Sequence, residues 1–142
     1  MELMATVAII GLLSAIALPG YSAILERQKV STATIDLLDI AMLLQRYHSH
    51  RFALPETLDE LSSNLPKDPW GRDYQFLNFS SPAPGIKGKI RKDHNLHPLN
   101  TAFDLYSLGK DGESQSPLTA RASRDDVIFA RDGGFVGLAE DY

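Results

Sequence analysis

From Leu3 to Leu25 the chain carries 23 consecutive residues without a charge, and from Glu26 onward charges recur throughout. An α-helix of that first run spans roughly 34 Å at 1.5 Å per residue, enough to cross a hydrocarbon core of about 30 Å. The run is too long, and its start at Glu2 too acidic, for the short apolar core and basic start of a cleaved signal peptide. Small residues (Ala5, Ala8, Gly11, Ser14, Ala15 and Ala17) recur along it and let helices approach one another closely. Pro19 removes a backbone donor and Gly20 loosens the chain beside it, so a kink is expected there. Beyond that point Val30, Ala33, Leu37, Ala41, Leu44 and His48 repeat at three- and four-residue spacing, and Leu38 widens the stripe. The pattern predicts one helix continuing to Arg51, about 50 residues and roughly 75 Å long. Residues 1–25 then form a transmembrane or helix-bundle segment, and residues 26–142 hold the amphipathic half of the helix and a globular domain.

After Arg51 the helical period ends. The stretch "LPETLDEL" (54–61) predicts a short helix with Pro55 at its first position and acids in its first turn. "LPKDPWG" is turn-rich, and Trp70, the only tryptophan, is expected to anchor a core against the long helix. Three strands are predicted: one within "DYQFLNF" (73–79), which alternates, one within "TAFDLYSLG" (101–109) and one within "DVIFAR" (126–131). "SSPAPGIKGK" (80–89) reads as a loop. Residues 86–100, with Lys87, Lys89, Arg91 and Lys92, read as a solvated segment able to form a hairpin. The expected fold is α+β: one long helix packed by its second half on a small antiparallel sheet.

Composition removes several functions. The net charge is −4, so no basic surface argues for nucleic acid. There is no cysteine, which excludes disulfides, thiolate metal sites and a thiol nucleophile. His48 and His50 are two apart on a helix and face different directions. His94 and His97 lie in a polar loop, Ser107 lacks the nucleophile-elbow glycines, and no phosphate-binding glycine loop occurs. No catalytic residues emerge, and the chain is not expected to be an enzyme.

Glu2 is open to two readings on these grounds: a terminal acid resting at a membrane interface, or a carboxylate that finds a positive group on a neighbouring helix. The stretch "ELMATVAIIGLLSAIALPGYSAILERQKV" resembles the N-terminal helix of type IV pilin-like proteins, with Glu2, Gly11 and Pro19 at that family's relative spacing. "LPKDPWGRDYQFLN" (65–78) and "FDLYSLGKDGES" (103–114) resemble, more narrowly, the G-type major pseudopilins of type II secretion. The tail "SQSPLTARASRDDVIFARDGGFVGLAEDY" is longer than the commonest pattern, which keeps a minor pilin of a type IV pilus open. A membrane-tethered periplasmic binding domain that never assembles is the alternative from another class. The family's cleavage glycine and the Phe after it are not among these residues, so prepilin processing and methylation would require a longer precursor.

The resemblance implies a subunit held in the bacterial inner membrane with its domain in the periplasm. Such subunits self-assemble into a homopolymeric filament through Leu3–Leu25, and Glu2, Gly11 and Pro19 are the assembly residues. Implied partners are other pseudopilins, the inner-membrane assembly platform, prepilin peptidase, and membrane lipid before assembly. It also implies a structural Ca²⁺ in the loop after the Leu-Gly-x-Asp-Gly stretch. Asp111 matches its side-chain ligand, Leu108 offers a carbonyl, Ser114 another oxygen, and Asp125 and Asp126 match the acids before the last strand. Spacing alone favours a solvated acidic loop there, because "DGESQSPLTARA" lacks the acids of an EF-hand.

Overall fold

The computed structural model describes residues 2–94 and 97–142, and within the long helix all side chains but those of residues 2 and 17–19. Helix α1 runs unbroken from Glu2 to Arg51. Strands β1 (Gln75–Asn78), β2 (Phe103–Ser107), β3 (Val127–Ala130) and β4 (Phe135–Leu138) follow, with a single helical turn, α2 (Ile86–Lys89), between β1 and β2. The strands form one antiparallel sheet in the order β1-β2-β3-β4. Its register pairs Phe76 with Leu105, Leu105 with Phe129 and Phe129 with Val136.

The second half of α1 lies across this sheet. Ala33, Leu37, Ile40 and Leu44 are fully buried and meet Tyr74, Leu105, Val127 and Phe129. Burial of each large aliphatic side chain in that row contributes about 1.5–3 kcal/mol. Ile40 therefore replaces Leu38 in the expected stripe: Leu38 is 42% exposed, and His48 lies in solvent beyond the core. The 33-37-40-44 spacing places these four side chains on one face of the helix, with Val30 and Ala41 packed partly buried beside them.

Four further expectations are corrected. "LPETLDEL" forms only a 3-10 turn at Leu58–Glu60, after Thr57, and Pro55 is buried rather than opening a helix. The loop 80–89 closes on α2. A fourth strand, β4, arises from "FVGL", where the interrupting Gly137 hides the alternation, and it completes the meander beside α1. Arg91, grouped above with solvated lysines, is 3% exposed, whereas Lys87, Lys89 and Lys92 are on the surface.

Candidate functional site

Two surfaces of the molecule bear on function. The first is the free half of α1. Leu3, Met4, Val7, Ile10, Leu12 and Ile16 each leave more than half their surface bare, and none of the apolar window is buried within the chain. By length and composition this helix can cross a membrane. So much contiguous apolar surface requires lipid or another protein to cover it. Gly11 has open space where a side chain would lie, which leaves room for a close neighbour. Glu2 and Pro19 are in the helix, but their side chains lie outside the described residues.

The second is a polar clamp that joins the two narrower sequence motifs. Asp68 is 3% exposed and accepts three hydrogen bonds. Its Oδ1 accepts from the backbone N–H of Trp70 (3.1 Å) and Arg72 (2.8 Å), closing the Asp-Pro-Trp-Gly-Arg turn on itself. Its Oδ2 accepts from the Ser107 hydroxyl at 2.6 Å, and that oxygen in turn accepts from the Gly109 N–H at 3.1 Å. Arg72 reaches the other way and donates to the carbonyls of Gly109 (2.6 Å) and Lys110 (3.3 Å). The clamp is tied to the helix by Trp70, whose indole N–H donates to Glu26 at 3.3 Å. Trp70 is partly buried and packs against the main core, as expected of an anchor. Below it the Tyr74 hydroxyl donates to Asp36 on the helix at 2.7 Å. Burial, reinforced by the Asp36 carboxylate, raises the Tyr74 pKa above the ordinary phenol range. The Asp-Pro-Trp-Gly-Arg turn thus fixes both the Leu-Gly-x-Asp-Gly loop and its angle to α1.

Within that loop the expected calcium ligands separate into two groups. In the outer group, Asp111 donates its N–H to Asp125 Oδ2 at 2.9 Å, and its own Oδ1 accepts from the Glu113 N–H at 2.8 Å. The Leu108 carbonyl accepts from the Gly112 N–H at 3.2 Å. In the inner group, Asp126 is fully buried and ion-paired to Arg91, and the Ser114 hydroxyl bonds to the same carboxylate oxygen at 2.6 Å. Burial pushes the Asp126 carboxyl up to about 6, against the pull of Arg91. Among the described residues no three acidic or histidine side chains gather where they would share an ion. Calcium takes six to eight oxygens. The outer group supplies two carboxylates and a carbonyl, so the ligand set expected from the sequence comes together only if Asp126 is taken from Arg91. As it stands, the donor set does not fit the ion. No sequence signal pointed to Arg91; its neighbours Lys89 and Lys92 disguised it as part of a surface run.

A long helix, bare and apolar in its first half and seated on a four-stranded antiparallel meander in its second, defines a pilin-like α+β subunit. No family model matches the chain, and no solved structure matches it. It is 33% identical over 133 residues to the type II secretion system core protein G of Pseudomonas aeruginosa, covering 79% of this chain and 81% of that protein. The core protein G of Vibrio cholerae is 27% identical, covering 80% of this chain and 79% of that protein. For Escherichia coli K12 the identity is 28%, with 80% of each covered. The chain belongs to the type II secretion system core protein G family.

Proposed function

We propose that this chain is a structural subunit of the type II secretion pseudopilus, assembling with other pseudopilins through the apolar half of α1. The observation that carries this reading is the bare helix surface from Leu3 to Ile16, resumed at Tyr21 and Ile24, on a chain that is 33% identical to a core protein G. In the membrane, lipid covers that surface; in a filament, neighbouring helices replace the lipid at little hydrophobic cost, because both environments are apolar. The subunit is held in the bacterial inner membrane with its domain in the periplasm until an assembly platform extracts it. A longer precursor would pass through prepilin peptidase. The growing filament then pushes folded cargo toward an outer-membrane channel as a piston does. Glu2 pairs with the N-terminal amine of a neighbouring subunit and so sets axial register.

The test is assembly of the full-length precursor in a secretion-competent host lacking its own core subunit. Sheared filaments containing this chain are expected from the wild type and not from Glu2→Ala or Glu2→Gln. Equal filament yield from both variants refutes the pairing. A wild-type chain that stays monomeric in the membrane refutes the subunit reading itself.

A further inference from the structure

The expected metal loop already contains a cation, and it belongs to the chain. Arg91 reaches the loop from the segment after α2, which is held on three sides. Its N–H donates to Asp104 Oδ2 at 2.7 Å, and its carbonyl accepts from the Leu99 N–H at 3.2 Å. The adjacent Lys92 N–H donates to the Ser116 carbonyl at 3.1 Å. The backbone is therefore fixed before the side chain is considered. The guanidinium then donates through Nη1 to the Ser114 hydroxyl at 2.6 Å and through Nη2 to Asp126, while its Cζ lies 4.0 Å from the centroid of the Tyr106 ring. It is thus paired, hydrogen-bonded and stacked, which are the conditions under which a buried charge is tolerated. Only Nε of Arg91 and Oδ1 of Asp126 are left without partners in this cluster. A side-on fork, Nε to Oδ1 beside Nη2 to Oδ2, would pair both, and this is the commonly favoured geometry of arginine with a carboxylate.

We propose that Arg91 is the resident cation of the loop between β2 and β3, holding Ser114 and Asp126 in place of a divalent ion. A guanidinium on a fixed stem and a calcium ion compete for the same carboxylate. The stem gives the guanidinium a high local concentration that a free ion at physiological levels does not match. Arg91 thereby joins the segment after α2, β2 and the start of β3 without any metal. Calcium gains a site only when the guanidinium is removed, since that frees Asp126 and Ser114 to join Asp111, Asp125 and the Leu108 carbonyl.

The experiment compares thermal melting of the full chain in detergent micelles with chelator and with millimolar calcium, alongside terbium luminescence sensitised by Tyr106. The wild type is expected to melt at the same temperature in both and to bind no terbium in the loop. Arg91→Met is expected to melt several degrees lower in chelator, to recover with calcium, and to gain terbium luminescence. In Arg91→Met/Asp126→Asn the calcium response is expected to vanish, and melting in chelator to rise above that of Arg91→Met. Removing both partners of a buried pair is milder than removing one. A wild-type melting temperature that climbs with calcium overturns the proposal and needs no variant to be folded. An Arg91→Met chain that folds but ignores calcium overturns it equally.

Discussion

Replacing Gly109 with alanine tests whether the two motifs are locked as closely as described, and Gly71 supplies the control. Both glycines have left-handed backbone, with φ of +62° at Gly109 and +88° at Gly71. An alanine in that region costs about 1–2 kcal/mol wherever it occurs. At Gly71 nothing lies within 4 Å of an added Cβ, so the strain is the whole cost. At Gly109 the added Cβ would overlap the backbone carbonyl of Asp125. That carbonyl cannot retreat easily: the Asp125 side chain holds Asp111, and the next residue enters the buried pair with Arg91. Overpacking against such a fixed group adds about 1–3 kcal/mol. Gly109→Ala should therefore be destabilised by about 2–5 kcal/mol in total. The entropy change of the unfolded chain is common to both substitutions and cancels in the difference. For a domain of this size 1 kcal/mol corresponds to about 4 °C in Tm or somewhat more. Gly109→Ala should then melt at least about 4 °C below Gly71→Ala. The assay is thermal and urea unfolding of the full chain in detergent, followed by fluorescence of Trp70, the only tryptophan. Equal melting of the two variants would refute the close packing of the loop against the entry to β3.

Asp68→Asn keeps acceptors for the Trp70 and Arg72 N–H groups but turns an amide donor toward Ser107, whose buried hydroxyl proton then lacks an acceptor. The expected cost is about 1–3 kcal/mol by urea unfolding. Adding Ser107→Ala should recover part of that cost, and strict additivity of the two substitutions would count against the clamp. The Glu60 carboxylate accepts from the N–H groups of Glu56 (2.7 Å) and Thr57 (3.2 Å) and from the Tyr47 hydroxyl (3.0 Å). These bonds, the Glu56 N–H first and the Tyr47 hydroxyl second, hold its pKa below the ordinary carboxylate range. A lowered folded-state pKa gives stability that is complete above the unfolded-state value and is lost as pH falls through the folded-state one. Glu60→Gln should thus lower the neutral plateau of the Tm-against-pH curve while leaving its acid end nearly unchanged, so that the acid limb flattens, and an unchanged acid limb would reject the assignment.

The sequence by itself determined the long helix, because an uncharged run followed by a helical apolar period needs only local geometry to be read. It also determined β1, β2 and β3 within a residue or two, the anchoring of Trp70, and the family, through motifs at fixed spacing. Which face of α1 meets the sheet was a tertiary decision. The periodicity widened the stripe with Leu38, and the packed structure buries Ile40 and leaves Leu38 half bare instead. The strand β4 was equally hidden, since a short run interrupted by Gly137 becomes a strand only when β3 offers an edge to pair with. The reason that Asp68, Ser107, Arg72 and Gly109 occur as they do lay in contacts across nearly forty positions of chain, which no local pattern encodes. Arg91 shows the limit most plainly. Within its own neighbourhood it is one more basic residue in a polar stretch; only after the chain folds does it stand beside Tyr106, Ser114 and Asp126. Charge is written in the sequence, but burial and partnership come from packing, and these decide whether a cation is solvated or structural.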